Sequence, residues 1–172
     1  MAKEPTWVER THAEGVVEIM RFAYADPPYI GTAKRYYKDR PDYAGEVDHA
    51  ALLERLHTEF TDGWALSAHV NSLWDLIPMI PKNWKCRVAA WCRTYSQIMP
   101  NIRPVYSWEP VIFCGGRKAK PSGNAFCRDW FVSSTLAVRG SVGVVGAKPD
   151  EFCYWLFELL NMQCGDEFVD LF

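Results

Sequence analysis

The chain is nearly devoid of acid in the stretch where base is concentrated. Between Lys82 and Lys148 stand eleven Lys and Arg but only two acids, Glu109 and Asp129. That segment carries +9 within a chain of 172 residues and net charge −2, leaving −11 for the rest. The net charge argues against a uniformly basic nucleic-acid binder. The asymmetry fits a chain that meets a polyanion through one segment. Composition alone is equally met by a solvated basic surface without a partner.

Other absences narrow the class. No apolar run approaches the roughly 18 residues a membrane span needs, so no membrane partner is expected. The N-terminal stretch "MAKEPTWVERTHAEG" has no apolar signal core, so export is not expected. None of the cysteines Cys86, Cys92, Cys114, Cys127, Cys153 and Cys164 forms a CxxC pair, and several lie in apolar runs. Buried free thiols in a reducing compartment are expected, with no metal site. There is no internal repeat.

The apolar share is 49% and the charged share 23%, which suits one globular domain over residues 1–172. "VVEIMRFAYA" reads as a buried strand ending before Asp26. "DHAALLERLHTEF" reads as a helix N-capped by Asp48, with Ala51, Leu52, Leu56 and Phe60 as its apolar stripe. "GWALSAHV" is a strand, "NSLWDLIPMI" a short helix stopped by Pro78 and Pro81, and "KCRVAAWC" a strand. "RTYSQIMPNIRP" is predicted to be a loop. "VYSWEPVIFCGG" is a strand closed by a glycine pair, and Pro110 within it predicts an edge or a bulge. "RKAKPSGNAFCRD" is a basic loop. "PDEFCYWLFELLNMQ" is a helix with Pro149 near its start, and "DEFVDLF" is a last strand. Strands alternating with helices at this spacing predict a three-layer α/β domain with a mostly parallel, Rossmann-like sheet. Ligands of such sheets sit at the carboxyl ends of the strands.

"ADPPYIG", residues 25–31, stands at such an end. Adjacent Pro27 and Pro28 remove two donors and fix two φ angles, giving a rigid corner rich in acceptors. Asp26 adds a carboxylate and Tyr29 a flat ring. Together they suit a planar group bearing an NH2: two acceptors for its N–H bonds and a face to stack on. A flipped nucleobase is such a group. A proline-rich turn with a capping Asp accounts for the four residues equally well.

"DPPY" resembles the catalytic tetrapeptide of the amino-methyltransferases, which move a methyl group from S-adenosylmethionine (SAM) to N6 of adenine or N4 of cytosine. "GAKPDEFCYWLFELLNMQCGDEFVDLF" is similar to the family segment in which a Lys-Pro pair opens a helix and a Gly-Asp leads into a strand ending Asp-x-Phe. "WEPVIFCGG" resembles the family strand with an aromatic-Glu pair. The order, tetrapeptide first and donor-binding strand last, is the permuted one of the beta-type enzymes.

The resemblance implies roles. Asp26 and the carbonyl of Pro27 would hold the target amine, Pro28 would stiffen the corner, and Tyr29 would stack on the flipped base. Lys148 and Pro149 would shape the SAM pocket, and Asp170 and Phe172 would begin the donor loop. Asp at position 26 tilts the choice toward adenine. Nucleic acid, with DNA ahead of RNA, is the expected partner, tracked by Arg87, Arg93, Arg103, Arg117, Lys118 and Lys120 within the basic segment 82–148. The cytoplasm of a bacterium or a phage-infected host is the expected location. The glycines that follow Asp-x-Phe in the family are absent at Phe172, which implies a piece of a longer enzyme. The alternatives are a donor-deficient module that binds nucleic acid or a partner, and a methyltransferase acting on RNA or on an amine outside nucleic acid.

Overall fold

The structure is a computed structural model, and it describes residues 18–34, 38–39, 45–98, 100–119, 126–133 and 148–172. Among them β1 (Arg21–Ala25), β2 (Gly63–Ser67), β3 (Arg87–Gln97), β4 (Tyr106–Gly115), β5 (Trp130–Ser133) and β6 (Glu167–Asp170) form one sheet in the order β5-β3-β4-β2-β1-β6. The pairs β1/β2, β1/β6 and β3/β5 are parallel, and β4 is antiparallel to both β2 and β3. Only β4 therefore runs against the others. The sheet is the mostly parallel, Rossmann-like one the sequence predicts.

Helices cover both faces, and the strands alternate side chains between them. Ala23, Ala25, Trp64, Leu66, Ile112 and Cys114 meet Leu52, Leu53 and Leu56 of α1 (His49–Glu59) and Leu76 of α2 (Leu73–Met79). Tyr24, Ala65, Ala89, Trp91, Val111 and Phe113 meet Phe152, Trp155 and Leu156 of α3 (Asp150–Leu159). α1 starts where Asp48 accepts the Ala51 N–H at 3.0 Å, which satisfies one of the unpaired donors of the first turn. Each fully buried leucine of α1 contributes about 2 kcal/mol of burial.

Four features differ from the sequence reading. β3 continues through Gln97, so the first half of the predicted loop is strand. Its far end finds a partner in Tyr106 across an irregularity between Cys92 and Gln97. β5 was not foreseen, and it forms by parallel pairing with β3. Pro110 lies inside a central strand instead of at an edge. Its carbonyl accepts from Ala68 N at 3.0 Å, so its donor-less nitrogen faces the side where β2 leaves the ladder after Ser67–Val111. Likewise Pro78 lies inside α2, and the chain leaves the helix through a tighter bond from Ile80 N to Ile77 O.

The glycine pair that closes β4 is held by close approach. Gly115 has φ +74, and a Cβ there would lie 2.8 Å from the Asp62 carbonyl. The cysteines are all free. Burial, together with a hydrogen bond to Cys114, pushes the Cys86 thiol up to about 12, which leaves it inert at neutral pH.

Candidate functional site

The ladder between β1 and β2 ends at Ala25–Leu66, and Asp26 is the next residue. The following corner is half-buried, with Pro27 buried, and is not the open surface turn its composition suggests. A turn closes behind it: Thr32 donates to the Tyr29 carbonyl through both N (2.9 Å) and Oγ1 (2.6 Å). This anchors the Tyr29 backbone.

Glu109 on β4 gathers the surrounding groups. The Tyr29 hydroxyl donates to Glu109 Oε2 at 3.1 Å, and Arg93 Nη1 on β3 pairs with Glu109 Oε1 at 2.7 Å. Lys148 Nζ, just before α3, lies 2.6 Å from Asp26 Oδ2 and 3.7 Å from Glu109 Oε2. The ammonium also sits 5.6 Å from the Trp91 ring and 6.0 Å from the Phe152 ring, within cation–π range. Trp91 Nε1 is buried and has no hydrogen-bond partner among the described residues.

Burial raises the proton affinity of Asp26. The Lys148 charge and hydrogen bond oppose that rise, and Glu109 and Asp170 add to it. Burial and then the charges of Glu109 and Asp26 push the Tyr29 phenol well above its ordinary range, so it remains a donor. Beneath them the buried Tyr24 and Ser67 hydroxyls share a hydrogen bond of 2.6 Å.

β6 lies beside β1, with Tyr24 opposite Asp170. Asp170 therefore stands at the same carboxyl end as Asp26, and Phe172 N donates to Asp170 Oδ1 at 3.4 Å. Pro149 is buried and its carbonyl accepts from Phe152 N, opening α3 toward this end. The fold thus brings together Asp26, Pro27, Pro28, Tyr29, Lys148, Pro149, Asp170 and Phe172 from opposite ends of the chain.

The basic residues are distributed differently. Arg93 belongs to the cluster around Glu109. Arg103 is exposed in the β3–β4 connection, at the same end of the sheet. Arg87 pairs with Asp129 at 2.8 Å and Arg117 with Asp166 at 2.5 Å, both at the opposite end. Lys118 is exposed beside Arg117, and Lys120 lies outside the described residues.

By sequence Glu109 is marked by the aromatic-Glu pair but given no role, His69 is a minor candidate at a strand end, and Trp91 is read as core or interface. His69 follows β2, with its ring centroid 5.9 Å from Tyr29 and 4.8 Å from Tyr106. Among the described residues no group of three or more His, Cys, Asp and Glu could hold a metal, and no helix is long and apolar enough to cross a membrane. Two surface concavities lie elsewhere, one against Ile77, Ile80 and Val88 and one against Phe126, Trp130 and Trp155.

No protein-family model matches the chain, and no curated protein matches it. Among solved structures it is similar to one described as the crystal structure of the M1.HpyAVI-SAM complex. The two are 12% identical with a TM-score of 0.52, over 90% of this chain and 72% of that one. At that identity the likeness shows a shared fold.

Proposed function

We propose that the chain transfers a methyl group from SAM to the exocyclic amine of a flipped nucleobase, N6 of adenine in DNA. The observation that carries this reading is the Lys148 ammonium 2.6 Å from Asp26. A nitrogen already sits against the carboxylate of the corner, beside the Tyr29 ring, where a target amine would be held. The similarity of the fold to a SAM-complexed structure supports it further.

The surroundings also fit a cationic methyl donor. Two carboxylates, Asp26 and Asp170, and two aromatic faces, Trp91 and Phe152, converge on one end of the sheet, and the buried Trp91 N–H lacks an acceptor among the described residues. SAM, when bound, supplies a methyl group activated by a sulfonium. Asp170 and Phe172 after β6, with Lys148 and Pro149 before α3, would hold it.

The chain's own work is positioning and electrostatics. The Asp26 carboxylate and the Pro27 carbonyl accept the two N–H bonds of the amine and turn its lone pair out of the base plane. The Tyr29 ring, braced by Glu109, stacks on the base. As nitrogen gains positive charge, the Asp26 carboxylate faces it. Arg103, exposed at the same end of the sheet, would meet a phosphate.

A labelled-methyl assay on adenine-containing DNA tests this. Asp26→Ala and Tyr29→Ala should each lower the rate at least about 100-fold while the fold stays intact. A wild-type rate in the Asp26 variant would sink the assignment.

A further inference from the structure

Beside Tyr29 and Tyr106 stands a histidine whose proton is placed by the backbone. His69 Nδ1 accepts the Asn71 N–H at 3.2 Å, where it caps the short 3₁₀ turn Val70–Ser72. A ring nitrogen that accepts carries no proton, so in the neutral ring the proton is on Nε2. Burial lowers the proton affinity of His69, Glu109 opposes this and Arg93 adds to it, so the ring is neutral at pH 7. Asn71 Nδ2 donates to the Tyr106 hydroxyl at 3.1 Å, which braces the turn against β4. The imidazole is thus fixed between Tyr29 and Tyr106, half-exposed, presenting one N–H away from the turn.

We infer that His69 is a specificity-determining donor that reads the ring nitrogen beside the target amine. The inference rests on the proposed methyl transfer and names its substrate class. An exocyclic amine on adenine or cytosine always adjoins a ring nitrogen with a free lone pair, N1 or N3. Asp26 and Pro27 supply acceptors for the amine, and an acceptor next to it needs a donor. Tyr29 cannot be that donor because its hydroxyl is committed to Glu109. His69 supplies the complementary N–H, so the site takes heterocycles of the N=C–NH2 type and rejects lysine-like amines, which offer no such acceptor.

The test is methyl transfer to two oligonucleotides that differ at the target base, one with adenine and one with 1-deazaadenine, which has C–H in place of N1. The chain should prefer adenine by about 10- to 100-fold, the loss expected when one buried hydrogen-bonding partner is removed. His69→Phe keeps a ring but has no donor, and should bring the preference within about threefold. His69→Gln, whose amide donates, should restore most of it. A histidine that only shapes the turn would lower both rates together and leave their ratio unchanged, which would overturn the inference. Equal rates of the unaltered chain on the two oligonucleotides would overturn it as well. No transfer to either one would defeat the proposed methyl transfer and this inference with it.

Discussion

Asp26 is held in its charged form by Lys148 against the pull of burial. Its carboxyl binds a proton more tightly than the ordinary value of 3.8 because desolvation outweighs that cation. The proposed methyl transfer would need the carboxylate, so the acid limb of the rate profile should fall above pH 3.8 and vanish in Asp26→Asn along with the activity. A limb at or below the ordinary carboxylate range would contradict the geometry. The stability effect has the opposite sign. A carboxyl whose folded affinity is raised favours the fold below pH 3.8, and this contribution is lost as pH rises through its folded value. At pH 7 the charged Asp26 is therefore a cost to the fold, and Asp26→Asn should keep or raise the melting temperature, with Glu109 left to face Lys148. A fall of more than about 5 °C would mean that the pair holds the fold instead of serving the site. Tyr29 divides in a similar way. Tyr29→Phe keeps the stacking face and should cost less than about tenfold in rate, whereas Tyr29→Ala should cost at least about 100-fold. Equal losses would place the function in the hydroxyl.

At the scale of elements, α3 holds the site from below. Phe152 is wholly buried, with its ring centroid 5.0 Å from Trp91 and 5.8 Å from both Tyr24 and Trp155. It also lines one side of the Lys148 ammonium. Phe152→Ala should cost about 3–5 kcal/mol in denaturant unfolding, as large-to-small changes in tight cores do. A loss under about 1 kcal/mol would mean that α3 is not packed as described. Elements of this kind were legible in the sequence because their signals are local: the Asp48 cap, the leucine stripe of α1, the Lys-Pro pair before α3. The corner at Asp26 and the strand end at Asp170 were legible for the same reason. β5 and the second half of β3 were not, since both exist through pairing with distant partners. Pro110 misled because its tolerance depends on β2 ending beside it. The aromatic-Glu pair marks Glu109, but no short pattern gives the partners of Glu109 or His69. These two residues reach Tyr29 only after β4 is laid antiparallel beside β2.

At the scale of the whole molecule, the described basic residues of the +9 segment do not form one track along the sheet. The antiparallel turn between β3 and β4 sends its residues to opposite ends. Arg117 is largely buried against Asp166, with side-chain exposures of 14% and 2%, and Arg87 is paired with Asp129. Those two residues stand at the end remote from Asp26. Arg103 is exposed in the connection at the site end, where the backbone of a strand with one base flipped toward Tyr29 would pass. Each phosphate contact adds roughly one unit to the slope of log affinity against log salt. Arg103→Gln should therefore flatten the slope by about one unit and weaken binding at low salt. Arg87→Gln should leave the slope unchanged, because its charge is already matched by Asp129. Titration of a fluorescent adenine-containing oligonucleotide from about 50 to 200 mM salt reads both variants against the parent chain. If Arg87→Gln flattens the slope and Arg103→Gln does not, the nucleic acid follows the far end of the sheet, and a base flipped into the Asp26 corner could not belong to the strand that is bound.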